Sequence, residues 1–338
     1  MLSRNFSLSK HNTFGLDVMA AYFMAITDTR DLKKLRNDRI FIEEKRMILG
    51  GGSNCLFLDD YYEGLVILIE NKGINIVSED NDTVHISAAA GEDWTFFVEK
   101  MVNAGYGGVE NLSRIPGKVG AAPMQNIGAY GVELKDVFYS LQAFDLNTGE
   151  LVNFDCNDCE FGYRTSVFKT IYKDRFVILS VDFVLQKNPL LKLEYGAIKQ
   201  KLEDLGVHKP NIKDVSRAVT HIRESKLPDP KILGNAGSFF KNPVIHNLVF
   251  DDLKKEFPDA VGFSNNHNTT KVAAGWLIEK AGWKGCRKGD AGVHKNQALV
   301  LVNYGKATGR EIYSLAMEIQ QSVKEKFGIL LEPEVNVF

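Results

Sequence analysis

Between Asn111 and Gly131 the chain reads NLSRIPGKVGAAPMQNIGAYG, a stretch with four glycines, two prolines and no carboxylate. Glycine lets backbone N–H groups turn toward an anion and approach it closely, and the absence of acids removes the charge that would repel it. A second such segment lies upstream, where the apolar run Arg46-Met47-Ile48-Leu49 stops at Gly50-Gly51-Gly52-Ser53-Asn54. Neither segment has the Gly-x-Gly-x-x-Gly spacing of a Rossmann crossover or the Gly-Lys-Ser/Thr ending of a P-loop. A polyphosphate would therefore be held by loops between strands. Two anion cradles in one chain point to a large diphosphate cofactor.

The 338 residues suit two or three domains. A net charge of −2 supplies no global attraction for nucleic acid. No apolar run reaches the roughly 18 to 20 residues that span a bilayer, and the N-terminus lacks a hydrophobic signal core, so a cytoplasmic protein is expected. Cys55, Cys156, Cys159 and Cys286 read as free thiols. Cys156-Asn157-Asp158-Cys159 has C-x-x-C spacing, but no second ligand pair follows it at zinc-site distance. The seven histidines form no metal-ligand spacing, so no metal is assigned.

Leu65–Ile69, Val84–Ala88, Phe176–Leu185 and Ala298–Val302 read as strands. Trp94, Phe97, Val98, Met101 and Val102 fall on one face of a helix that runs from Asp93 and ends at Gly105. Asp214 is placed as the cap of a helix carrying Val215, Ala218, Val219 and Ile222. Thr308 and Glu311 form a capping box ahead of Ile312, Leu315, Ala316, Ile319 and Val323, with an end near Gly328. Strands and helices mix without a βαβα rhythm, which favours an α+β fold over a doubly wound sheet. Lys187 to Pro210 is a plausible boundary.

Three further clusters carry chemistry. In Ala236-Gly237-Ser238-Phe239-Phe240-Lys241-Asn242-Pro243, Ser238 is either a buried polar residue or a general acid for a carbanion formed against a flat cofactor. It is not a hydrolase elbow, since Gly-x-Ser-x-Gly is absent. In Phe161 to Lys169, Arg164 stands among apolar and hydroxyl groups, either paired structurally or aimed at a substrate carboxylate. Glu332-Pro333-Glu334-Val335 sets two acids around a proline, one of which is either a surface group or a partly buried, perturbed carboxyl.

Taken in order, Thr13-Phe14-Gly15, Gly50 to Asn54, Ile115 to Gly131, Tyr163-Arg164-x-Ser166-x-Phe168-Lys169, Gly237 to Pro243 and Leu331 to Glu334 resemble the UDP-N-acetylenolpyruvoylglucosamine reductase family nearly end to end. Leu193-Glu194-Tyr195-Gly196 is similar to the tyrosine-bearing loop of its type I subgroup. The resemblance implies an α+β chain with a two-lobed FAD-binding domain of the vanillyl-alcohol oxidase type, residues 1–70 and 71–210, and a substrate domain over 211–338. It implies non-covalent FAD reduced by NADPH, and UDP-N-acetylglucosamine enolpyruvate reduced to UDP-N-acetylmuramate. Ser238 would protonate C2, and Arg164 and Glu334 would stabilise the charge that develops there. FAD would rest on Gly50, Gly51, Gly52, Ser53 and Asn54 and on Gly117, Gly120, Ala121, Ala122, Gln125, Asn126 and Gly128, with Arg223 contributing. Tyr195, Lys226, Asn242 and Gln297 would hold the UDP part. The partners expected are these small molecules, without nucleic acid or membrane, on a monomer.

Two positions depart from the family pattern. Ala121-Ala122 stands where relatives often carry serine, and Asn336 where arginine is common. Two other readings remain at this point: a sugar or hydroxy-acid oxidase of the same fold, whose tethering histidine neither glycine loop contains, and a nucleotide-binding module without catalysis.

Overall fold

Asp93 accepts a hydrogen bond from the Phe96 N–H at 2.9 Å and so opens the helix Trp94–Ala104, which Gly105 closes in the left-handed conformation at φ 88°. The buried residues of this helix are the five that the sequence spacing selects. They lie against a five-stranded antiparallel sheet whose spatial order is Leu151–Asp155, Phe138–Asp145, Phe176–Gln186, Thr83–Ala89 and Ile74–Glu79. Phe97 and Phe183 meet with ring centroids 4.6 Å apart. Along Thr83–Ala89 burial alternates strictly, with Val84, Ile86 and Ala88 facing the core. A four-stranded sheet pairs Arg46–Leu49 in parallel with Tyr61–Ile69, and Leu65 to Ile69 are buried throughout.

These elements belong to the first of two units in the computed structural model, which describes residues 2–265 and 268–338; His267 lies outside them. The first unit comprises Ala20–Gly52 and Glu63–Ser225 with the N-terminal residues to Phe6. The helices Gly196–Asp204 and Ile212–Lys226 share an apolar cluster of Ile198, Leu202, Val215, Ala218, Val219 and Ile222. The cap of the second of these helices differs from the expected one. Asn211 Oδ1 accepts from the Lys213 and Asp214 N–H groups, while Asp214 Oδ2 accepts from the Asn211 N–H at 3.1 Å. Asp214 is thus the third-position partner of a reciprocal box, because a carboxylate inside the first turn reaches back toward the chain before it.

The second unit comprises Ser7–Met19, Ser53–Tyr62 and Lys226–Phe338. A four-stranded antiparallel sheet orders Gly234–Ser238, Val300–Asn303, Ala291–Val293 and Arg287–Lys288. The helix Gly309–Phe327 has Thr308 as its cap, Glu311 completing the box, and Gly328 ending it at φ 68°. Its buried stripe includes Ile312, Leu315, Ala316, Ile319 and Val323. Val244–His246, Thr269–Val272 and Gly262–Asn265 form a smaller antiparallel sheet. The C-terminal strand Asn336–Val337 pairs in parallel with Cys55–Leu56, directly after the first glycine-rich segment. The fold is α+β. Among the described residues no helix is long and apolar enough to cross a membrane.

Candidate active site

In the first unit the two glycine-rich segments touch. A Cβ placed on Gly51 would stand 2.9 Å from the Gly117 Cα, so the approach is open only to glycine. Beside them lies a cavity of about 120 Å³, lined in part by Gly50, Lys118, Gly120, Ala121, Tyr172 and Phe176. Glycine backbone together with aromatic rings suits a flat heterocycle joined to a polar chain. The donor set therefore fits FAD. When bound, FAD supplies hydride chemistry that no side chain can.

Lys118, which the sequence reading left out, is only 18% exposed and pairs with Glu70 at 3.2 Å. Its backbone is bridged to Asp93. Nearby Lys72 is pushed below the usual lysine range by burial and by the Lys118 charge.

The segment that carries Arg164 is fastened to the second glycine-rich segment at four points. Arg164 Nη2 donates to the Gly128 carbonyl at 2.6 Å and Ser166 Oγ to that of Met124 at 2.8 Å. Lys169 Nζ reaches Gln125 Oε1 at 3.1 Å, and Asn126 Nδ2 donates to the Gly162 carbonyl at 3.2 Å. Asn126 is wholly buried and its amide is engaged within the protein. Arg164, Asn126 and Tyr130 all hold positive φ, between 43° and 55°, a conformation that costs non-glycine residues energy and gathers at functional sites.

Tyr130 connects the remaining candidates of this unit. Its ring meets Tyr195 edge-on at 5.6 Å, and burial, then the neighbouring Tyr195, raises its phenol while the Arg223 cation opposes the shift. Arg223 is pushed below the usual arginine range by burial, with Arg164 and Arg114 adding repulsion. Arg164, Tyr195 and Arg223 thus share one electrostatic neighbourhood. The clue in the sequence is a phenol inside an otherwise glycine-rich run.

In the second unit, Phe240 bridges Pro333 in antiparallel fashion. The Glu334 N–H donates to the Phe239 carbonyl at 2.8 Å and the Lys241 N–H to that of Glu332 at 2.9 Å. Glu334 thus stands across from Phe239, the residue after Ser238, and both Ser238 and Glu334 are half-buried. Glu332 is exposed and faces Lys241 at 3.7 Å, so the partly buried acid is Glu334. Asn54 joins them, its Nδ2 donating to the Glu334 carbonyl at 3.2 Å, and Asn336 Nδ2 donates to the Asn54 carbonyl at 3.0 Å. Phe239 and Phe240 are buried and pack edge-to-face at 5.1 Å, which anchors the serine strand.

Asn242 Oδ1 accepts from the Ala274 N–H at 2.9 Å, at the start of the helix Ala274–Lys280. Gln297 Oε1 comes to the same turn, 3.1 Å from where a Cβ on Gly275 would stand. Lys226 is exposed at the end of its helix. Cys156 is exposed and Cys159 buried, and both are free thiols. Among the described residues no cluster of three or more His, Cys, Asp and Glu could hold a metal.

Residues 229–338 match the family model of the UDP-N-acetylenolpyruvoylglucosamine reductase C-terminal domain, and residues 41–155 match that of an FAD binding domain. The chain is 50% identical over 332 residues to the UDP-N-acetylenolpyruvoylglucosamine reductase of Pseudomonas savastanoi pv. phaseolicola, covering 98% of this chain and 97% of that protein. It is 49% identical to the protein of the same name from Flavobacterium johnsoniae, covering 99% of both. Among solved structures, the UDP-N-acetylenolpyruvylglucosamine reductase of Thermus caldophilus aligns over 100% of this chain and 99% of its own, with a TM-score of 0.71 at 23% identity.

Proposed function

This chain belongs to the UDP-N-acetylenolpyruvoylglucosamine reductase family of FAD-dependent oxidoreductases, and from that membership we propose that it reduces the enolpyruvyl group of UDP-N-acetylglucosamine enolpyruvate. The product is UDP-N-acetylmuramate, a peptidoglycan precursor, and NADPH is the electron source. Residues 1–70 and 71–210 serve the flavin and 211–338 the nucleotide substrate.

The observation that supports this reading is the strand pairing that sets Phe239, the residue after Ser238, opposite Glu334, whose carbonyl accepts from Asn54. Addition of hydride at C3 leaves an electron pair at C2, which spreads into the adjacent carboxylate. Ser238 delivers its hydroxyl proton to C2, and solvent restores that proton. Serine is a weak acid, yet a carbanion is a strong base, so the transfer is feasible from about 3 Å. Arg164 and Glu334 are assigned to stabilising the enol-like charge, and a preorganised electrostatic partner of this kind is worth on the order of 10²- to 10³-fold in rate. Tyr195, Lys226, Asn242 and Gln297 bind the UDP part, with Lys226 on phosphate. Gly50, Gly51, Gly52, Ser53, Asn54, Gly117, Gly120, Ala121, Ala122, Gln125, Asn126 and Gly128 shape the flavin site with Arg223. At Ala121-Ala122 only backbone groups are available to the cofactor.

Stopped-flow absorbance separates flavin reduction by NADPH from reoxidation by the enolpyruvyl substrate. Ser238→Ala is expected to preserve the first and cripple the second. Equal loss in both would assign the residue to the fold or the flavin.

A further inference from the structure

The strand that presents Ser238 is irregular. Gly234 pairs with Asn303, Asn235 with Val302, and Ser238 with Val300, so Ala236 and Gly237 together face the single residue Leu301. This is a β-bulge, and it reverses the alternation. In a regular strand Asn235 and Ser238, three positions apart, would point to opposite faces; the extra residue brings them two register steps apart and onto one face. Gly237 makes the bulge possible with φ +69°, and a Cβ placed there would meet nothing within 4 Å. Its restriction is therefore conformational and not steric.

Asn235 holds the bulge in place. It is 4% exposed, and its Oδ1 accepts from the Gly237 N–H at 3.0 Å. Its Nδ2 donates to the Pro228 carbonyl at 3.1 Å and the Leu233 carbonyl at 2.8 Å, while its own N–H donates to Thr13 at 2.9 Å. Both donors and the acceptor of the amide are satisfied, so the group has one orientation. The loop it grips begins two residues after Lys226.

We infer that Asn235 and Gly237 are positioning residues for the proton donor: the bulge turns the Ser238 hydroxyl to the working face of its strand, and Asn235 locks that turn to the loop following Lys226. The inference rests on the reading of Ser238 as the proton donor. Both act through the hydroxyl that they place. A displacement of the hydroxyl by about 1 Å is enough to slow proton delivery on the order of 10²-fold.

The test compares Gly237→Ala, Gly237→Asn, Asn235→Asp, Ser238→Ala and the double variant Gly237→Ala with Ser238→Ala, all loaded with FAD. Both half-reactions are followed with NADPH and UDP-N-acetylglucosamine enolpyruvate, in H2O and D2O. Gly237→Ala and Asn235→Asp are expected to slow reoxidation about 10- to 100-fold, with a larger solvent isotope effect, and to leave flavin reduction within about twofold. Gly237→Asn should recover most of the rate, since asparagine tolerates the left-handed conformation. In the Ser238→Ala background Gly237→Ala should add no further loss, because a residue acting through the hydroxyl has nothing left to position. Rapid reoxidation in Ser238→Ala would defeat the reading of Ser238 itself. Impaired Ser238→Ala alongside wild-type behaviour of Gly237→Ala and Asn235→Asp would overturn the positioning role alone. Equal slowing of both half-reactions, or full additivity in the double variant, would overturn it as well.

Discussion

Truncating Asn126 to alanine tests whether the two segments around Arg164 are held by the contacts described. The side chain is 0% exposed, its Oδ1 accepts the Lys135 N–H at 3.0 Å, and its Nδ2 serves Glu133 Oε2 at 3.0 Å and the Gly162 carbonyl at 3.2 Å. The losses are unequal. Glu133 Oε2 keeps Lys135 Nζ at 2.9 Å, and the Gly162 carbonyl keeps the Thr165 N–H at 3.4 Å. The Lys135 N–H is the group left without an acceptor, which costs about 1–3 kcal/mol. Alanine also inherits φ 43°, a further cost of about 1 kcal/mol. The sum is about 3 kcal/mol of stability. Urea unfolding at fixed FAD concentration measures it, since bound cofactor stabilises by mass action, and amide exchange locates it. The Lys135 amide should lose its protection in the variant. A loss below about 1 kcal/mol, with that amide still protected, would show that the segment is held by something else.

Gly51→Ala should weaken FAD binding about 10-fold or more, because the new methyl meets the Gly117 backbone and overpacking of this kind costs about 1–3 kcal/mol; fluorescence titration of the apoprotein checks it, and unchanged affinity would deny the two loops a shared cofactor. Arg164→Ala and Glu334→Gln should each slow reoxidation by the enolpyruvyl substrate more than flavin reduction, which stopped-flow traces resolve. Thiol labelling of the native protein should find Cys156 reactive while Cys55 and Cys159 react only after unfolding. Burial pushes both of the latter from near 9 up to about 12, so the unfolded chain sheds these protons first. Their contribution to stability is complete below pH 9 and falls as the pH climbs toward 12. Replacing both by alanine should flatten that alkaline slope in pH-dependent denaturation.

The parts of this protein that were legible in the residue order are those governed by neighbours along the chain. The stripes of Trp94–Ala104 and Gly309–Phe327, the box of Thr308 and Glu311 and the stops at Gly105 and Gly328 all follow from spacings of a few residues. The glycine-rich segments were equally plain, since composition alone marks where backbone can meet an anion. The one misplaced cap, Asp214 for Asn211, arose because both residues are good caps and only the hydrogen bonds separate them.

What stayed hidden depends on pairings between remote segments. Nothing in the order of residues says that Glu334 lies across a strand from the neighbour of Ser238, that the chain around Arg164 is pinned to Met124 through Gly128, or that Tyr130 joins Tyr195 to Arg223. Register between distant strands is set by the summed packing and hydrogen bonding of whole sheets, and a shift of one residue reverses every side chain. Local periodicity and chemistry therefore settle which elements form and which residues are available for a reaction. Only the closed tertiary structure settles which of them meet, and at what angle.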